Sequence, residues 1–336
     1  MASHAIPAVD ISGMIGASAF PDETVVSLRR ACDDCGFFYL TGHGIPTATL
    51  ENILLLAHRF FQEPQEEKQK IKRRSTKEGG DGARGYQEIR ENVTSGRRDY
   101  QEAINFVREV SQERGLTRYD ILQGPNLWPE HPKEFKSDYQ EYFRRLLEVG
   151  KTLARLFGFA LELDALHVDA DHHSEDSDFF VRNTDHSFWM SRVVGYPPLC
   201  DKVTEMEGDG ISCGEHTDYG CFTMLLNDKT PDTLEVMMKD GTWAYANPVT
   251  GALIVNIGDM MERWTNGRWK STRHRVIHRH GEYRVSVPFF YEPNFDCVVK
   301  PLAKFVSDLG SDDECTDKSY GSYIEHMIKE TYPGSS

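Results

Sequence analysis

Between residues 191 and 291 the chain is cut into short β-branched and aromatic runs by Gly, Pro, Asn and Asp. The runs fall at 191–197, 221–226, 234–238, 243–246, 253–257, 276–277 and 284–291, with a further extended stretch at 214–220. About eight strands this short cannot each bury a face alone, so the spacing predicts two packed sheets, a sandwich or jelly roll. Earlier residues read mostly as helix. Pro21 with an acidic first turn opens one, carrying Val25, Leu28, Ala31 and Cys32 at helical spacing. Others are expected at 47–62, ended by Pro64, and at 133–157, where Phe135, Tyr139, Phe143, Leu146 and Leu153 share a face. Short strands are expected at 6–11, 36–41 and 97–106, a mobile surface loop at 68–84, and a last helix at 320–332. No Pro/Gly/Ser linker divides the chain. The expectation is an α+β fold: one compact unit over 1–336, a helical N-terminal half wrapped on a β-rich C-terminal half.

The 336 residues suffice for a substantial core. A net charge of −15 argues against nucleic-acid or anionic-membrane partners, which call for a basic patch. No apolar run approaches the roughly 20 residues of a membrane-spanning helix. Residues 1–12 lack the pattern of a secretory signal. Seven scattered cysteines point to a reducing compartment rather than a disulfide framework. A cytoplasmic monomer is therefore expected.

The chemistry centres on Gly214-Glu215-His216-Thr217-Asp218-Tyr219-Gly220. On an extended strand, positions i and i+2 face the same way, so the His216 imidazole and the Asp218 carboxylate leave it side by side. His274, downstream, supplies a third donor. Two imidazoles and one carboxylate form the facial triad that holds non-haem Fe(II) with coordination positions left open. Ten residues further on, Arg284 and Ser286 share the same i, i+2 spacing. A guanidinium fork beside a hydroxyl suits a carboxylate ligand. The strands bearing His274 and Arg284 are expected to be consecutive and paired, joined near 279–282, and for both side chains to reach one pocket the connection is predicted to be an odd loop of three or five residues or a bulge.

Other residues receive plainer readings. Cys32 and Cys35 form a CxxC with no second pair to complete a zinc site, and are read as two thiols on one helix. His172 and His173 are read as a solvated loop, His43 and His186 as structural, His278 and His280 as exposed. Phe222, Phe289 and Tyr291 are read as core in preference to pocket lining. Arg97 and Arg98 either meet an anionic substrate or form a solvated edge. The stretch 68–96 and the last helix are expected to shape the pocket.

Taken together, the chain resembles the iron(II)/2-oxoglutarate-dependent dioxygenases of the isopenicillin N synthase-like family. The likeness rests on Ile6-Pro7 with Asp10, Gly36-Phe37-Phe38 with His43-Gly44-Ile45, Asn126 with Trp128-Pro129, and Tyr196-Pro197-Pro198. It continues through His216-Thr217-Asp218, Asn256 with Gly258-Asp259, the run from Thr265 to Val276, and Arg284 with Ser286. The resemblance implies a distorted double-stranded β-helix, with an N-terminal dioxygenase region over 6–130 and a catalytic core over 187–295. It implies Fe(II) on His216, Asp218 and His274, and 2-oxoglutarate held by Arg284 and Ser286 with help from Tyr196. Dioxygen would be the other co-substrate, and a small molecule would be oxidised with release of succinate and CO2. Two departures stand out. Val194 replaces the Asn common two residues before the tyrosine, and Thr233-Leu234-Glu235-Val236 replaces a Gly-Leu-Gln-Val stretch. Two alternatives remain at this point: a 2-oxoglutarate-independent oxidase of the isopenicillin N synthase type, and a jelly-roll binding protein without catalysis.

Overall fold

The computed structural model describes residues 6–94, 96–109, 124–163, 176–198, 211–306 and 319–331. Their strands form a large sheet of eight and a smaller sheet of four. In spatial order the large sheet contains β1 (Ala8–Asp10), β2 (Phe37–Thr41), β12 (Leu253–Ile257), β9 (Phe222–Asn227), β14 (Arg284–Tyr291), β7 (Met190–Tyr196), β6 (Glu102–Val107) and β3 (Gly85–Gln87). The smaller sheet runs β11 (Trp243–Tyr245), β10 (Leu234–Met237), β13 (His274–Ile277) and β8 (Ile211–His216). β4 (Val93–Thr94) pairs separately with β5 (Arg97–Arg98). Apart from the parallel β1–β2 contact, neighbours in the two main sheets run antiparallel.

Strand alternation divides the large sheet between two tasks. On β14, Val285, Val287, Phe289 and Tyr291 belong to the core shared with the helices, while Arg284, Ser286, Pro288 and Phe290 line a cavity on the other face. The helical layer includes α1 (Asp22–Asp34), α2 (Thr47–Phe61) and α4 (Phe135–Ala160); α3 (Gln65–Gln69) follows α2 closely. In α4, Phe135 stacks on Tyr139 at 4.2 Å, and Phe143 meets both Trp189 and Phe289. Phe222 stacks on Tyr291 at 4.8 Å. The plain reading of Phe222, Phe289 and Tyr291 as core therefore holds. Just past the end of α1, Gly36 has a φ of 68°, which favours a residue without Cβ. Between the two sheets, Leu234, Val236 and Val276 pack against Val194, Tyr196, Phe37 and Ile254. The remaining helices are α5 (Phe179–Asn183), α6 (Asp259–Trp264) and α7 (Tyr320–Thr331).

Four expectations need correction. The N-terminal half is not only helical: β1 and β2 extend one end of the large sheet, β6 and β3 the other. The stretch 68–84 is not simply a surface loop, because Lys68, Ile71, Ala83 and Arg84 are buried. The metal strand does not continue into 221–226; β8 and β9 lie in different sheets. Likewise β13 and β14 do not pair, so the odd-loop argument does not apply. Residues 278–283 carry the chain from one sheet to the other, and His274 and Arg284 reach the same cavity from opposite walls. His172 and His173 lie outside the described residues. Cys32 and Cys35 are both buried free thiols.

The buried Lys68 ammonium donates to Glu102 Oε2 at 2.8 Å. The same carboxylate accepts from the hydroxyls of Tyr86 and Tyr283 at 2.6 and 2.8 Å. This joins α3, β3, β6 and the 278–283 crossing at one point. Removing one partner strands the other charge away from water. Glu102→Ala is expected to cost about 3–5 kcal/mol, read as a lowered midpoint in urea unfolding.

Candidate metal centre and its pocket

His216 ends β8 and His274 begins β13, and the two are directly paired across those strands. Both imidazoles therefore leave the same face of the smaller sheet, with ring centroids 4.3 Å apart. Asp218 lies two residues past the end of β8, in the turn that crosses to β9. The i, i+2 reading gave the right proximity, although only His216 is in the strand. Each Nε2 is 3.8 Å from Asp218 Oδ1. One ligand atom from each residue falls within 4.8 Å of the other two.

The outer contacts leave the inner atoms open. His216 Nδ1 lies 2.7 Å from the Gly214 carbonyl and His274 Nδ1 3.1 Å from that of Thr272. A carbonyl can only accept, so each Nδ1 carries a proton and each Nε2, the atom a metal would take, is turned toward the cluster. Asn256 donates to Asp218 Oδ2 at 2.7 Å, and the Thr223 hydroxyl donates to the same oxygen. Thr223 and Asn256 are paired across β9 and β12. Burial opposes ionisation of Asp218, but the two imidazoles and these donors outweigh it and keep the carboxyl below its ordinary range. Burial, with the neighbouring His216 charge adding to it, pushes His274 down to about 4, whereas at His216 burial is outweighed by Cys213, Asp218 and the Gly214 carbonyl, which raise it to about 10, so a metal would displace a proton from His216. An ionised carboxylate beside a neutral imidazole is the state a divalent cation requires. The donor set fits Fe(II).

Beside the cluster is a cavity of about 490 Å³ between the two sheets. Arg284 and Ser286 lie on its floor, both buried. Arg284 gives one Nη2 contact to Asn227 Oδ1 at 3.2 Å, but its Nε and Nη1 are buried without hydrogen-bond partners. Tyr196 is directly opposite Arg284 on β7, and the guanidinium carbon sits 4.6 Å from its ring centroid. Val194 stands opposite Ser286 and lines the cavity, so the position of the departure from the family pattern is part of the pocket. As expected, the stretch before 97 and the last helix form walls: Asn92, Val93, Thr94 and Gly96 on one side, Ile324 and Met327 on the other.

Among the histidines with plainer readings, His43 is structural, bonded to the Gly251 carbonyl and the Ile45 amide. His186 is exposed. His278 is fully buried, not exposed, because its ring turns inward to the Glu282 carbonyl at 2.8 Å. Arg97 and Arg98 are exposed, in keeping with a solvated edge. Sequence reading missed the supporting roles of Thr223 and Asn256. A polar residue inside Leu-Ile-Val-Asn-Ile was the available signal, since a buried amide needs partners. It also missed Arg192 and Glu292, which line the same cavity. Burial, with the Asp218 and Asp259 charges adding and Tyr320 opposing, pushes the Glu292 carboxyl up to about 8.

Loss of an outer-shell donor should weaken metal binding about 10–100-fold. Asn256→Ala is expected to do so in a calorimetric titration with Mn(II), and Asp218→Ala to abolish binding.

Residues 6–131 match the sequence model described as non-haem dioxygenase in morphine synthesis N-terminal, and residues 185–293 that of the 2OG-Fe(II) oxygenase superfamily. Homoarginine-6-hydroxylase 2-ODD-C23.1 of Arabidopsis thaliana is 38% identical over 96% of this chain and 95% of its own. A solved 2OG-Fe(II) oxygenase family protein from Caulobacter crescentus superposes with a TM-score of 0.76 at 26% identity, covering 97% of this chain and 99% of its own. The fold is shared with the dioxygenase for auxin oxidation 1 from Arabidopsis thaliana, solved as a 2-oxoglutarate complex, at a TM-score of 0.67 and 22% identity over 90% of this chain and 98% of that one. With the 2OG-Fe(II) oxygenase model matched over the residues that carry His216, Asp218 and His274, and a hydroxylase of that kind 38% identical over nearly its whole length, the chain belongs to the Fe(II)/2-oxoglutarate-dependent dioxygenases.

Proposed function

We propose that His216, Asp218 and His274 hold the Fe(II), that Arg284 and Ser286 take the distal carboxylate of 2-oxoglutarate with Tyr196 packed against the guanidinium, and that the enzyme hydroxylates a small basic amino acid. The observation carrying the co-substrate assignment is the pair of orphaned donors on Arg284. A buried guanidinium with two unsatisfied N–H groups beside a hydroxyl is a site waiting for a carboxylate. Three protein donors leave half of an octahedral shell for ligands. The iron supplies oxygen activation when bound; the chain's residues bind, orient and exclude water. Arg284 acts by aiming the oxoacid, since its charge is fixed.

The substrate assignment draws on relatives. Proteins of Arabidopsis thaliana, Glycine max and Oryza sativa that are 35–38% identical to this chain are named homoarginine-6-hydroxylases. The cavity suits a molecule of that size. One chain supplies the triad, the co-substrate floor and the walls, which supports a monomeric enzyme.

Mixing the protein with Fe(II) and 2-oxoglutarate without oxygen should give a visible charge-transfer band, and homoarginine should raise succinate release above the uncoupled rate. Arg284→Ala should raise the KM for 2-oxoglutarate about 100-fold, equivalent to roughly 2.7 kcal/mol. An unchanged KM would remove Arg284 from the co-substrate site.

A further inference from the structure

With 2-oxoglutarate at Arg284 and Ser286, part of the cavity floor is left over. It runs along β14 past Pro288 and Phe290 to Glu292, one residue beyond the strand and under α7. Glu292 is 2% exposed, and its Oε2 has no hydrogen-bond partner. The Tyr320 hydroxyl on α7 is close enough to act on it, yet it too has no hydrogen-bond partner that meets ordinary geometry. The carboxylate lies against Gly220: a Cβ there would fall 1.6 Å from Oε2. Among the described residues, the charges that act on it are those of Asp218 and Asp259, both acidic. A buried acid of this kind, without a cation paired to it among the described residues, is retained at a cost unless something else completes it.

The second charged group on this part of the wall is Arg192. It sits on β7 between Ser191, which pairs with Phe289, and Val194, which pairs with Ser286. Asn92 and Gln87 steady its guanidinium at 3.3 and 3.2 Å. Its level on β14 is Pro288, so roughly 13 Å of strand separates it from Glu292. Both side chains line the same cavity, one cationic and one acidic, the complement of an amino acid that carries a carboxylate at one end and a cation at the other. The wall between them is apolar, formed by Met190 and Phe290 on one side and Met327 on the other.

We infer that Glu292 selects the substrate, its carboxylate receiving a guanidinium or ammonium group while the substrate's own carboxylate faces Arg192. This rests on the dioxygenase reading above and gives it a residue that decides between charged and neutral substrates. A purely structural Glu292, closing onto Tyr320, would affect all substrates alike. Charge selection would not.

The experiment compares kcat/KM for the ω-guanidino amino acid named above and for its uncharged ω-ureido isostere. Wild type should prefer the cation by about 100-fold or more, as sites built around a buried polar group do. Glu292→Gln should bring that ratio to near unity or invert it. Glu292→Asp, which keeps the charge, should retain the preference at lower kcat/KM, and it carries the test if the Gln variant does not fold. A ratio unchanged in Glu292→Gln, or no charge preference in wild type, overturns the assignment of Glu292. A wild-type protein that forms no anaerobic Fe(II)–2-oxoglutarate band overturns instead the reading beneath it.

Discussion

The centre depends on how one carboxylate is divided. Asp218 stands where the chain leaves the smaller sheet for the larger one. Oδ2 is held by Thr223 and Asn256 of the large sheet, and Oδ1 faces the two imidazoles of the small one. The backbone of the same turn is fixed as well, since the Asp218 carbonyl accepts from the Asp259 amide at 2.8 Å. The two layers are therefore pinned together at the metal position. An acid free to turn would offer either oxygen; here one is already used, which sets the direction of the other.

The large sheet gives this pin its rigidity. Its far face is packed by aromatic residues of α4 and aliphatic residues of α1 and α2. The N-terminal strands widen the sheet at both ends, so the central strands β9, β14 and β7 are flanked on each side. Arg284, Ser286 and Tyr196 thus sit away from the edge strands, where backbone hydrogen bonds open most readily. The buried Lys68–Glu102 pair performs a similar service behind the floor, anchoring the crossing that delivers β14 to its place.

Local periodicity makes much of this legible in the sequence. The strands 253–257 and 284–291 can be read to the residue, because both are rich in β-branched and aromatic residues and bounded by turn formers. His216, Asp218, His274, Arg284 and Ser286 can be found because the paired residues carry their spacing in the sequence. Two kinds of information are not there. Sheet membership is one: nothing local says that 274–277 and 284–291 belong to different layers, and sequence neighbours are expected to pair. Non-local hydrogen bonding is the other. His278 looks like a turn residue until the Glu282 carbonyl draws its ring inside, and Thr223 and Asn256 acquire their purpose only once Asp218 lies between them. Glu292 gives no sign either, since its burial arises from Gly220 and α7, distant stretches of chain.

The two-sided use of β14 has a consequence for how enzymes of this build can diverge. Even-numbered positions from 284 to 290 face the reaction and odd-numbered ones from 285 to 291 face the scaffold, so point substitutions can retune chemistry without loosening the fold. Length changes are another matter. One residue inserted or lost within the strand would exchange the two sets, sending aromatic rings into the reaction chamber and the guanidinium into hydrocarbon. Variation in such a strand is therefore confined to spelling, with its frame held fixed.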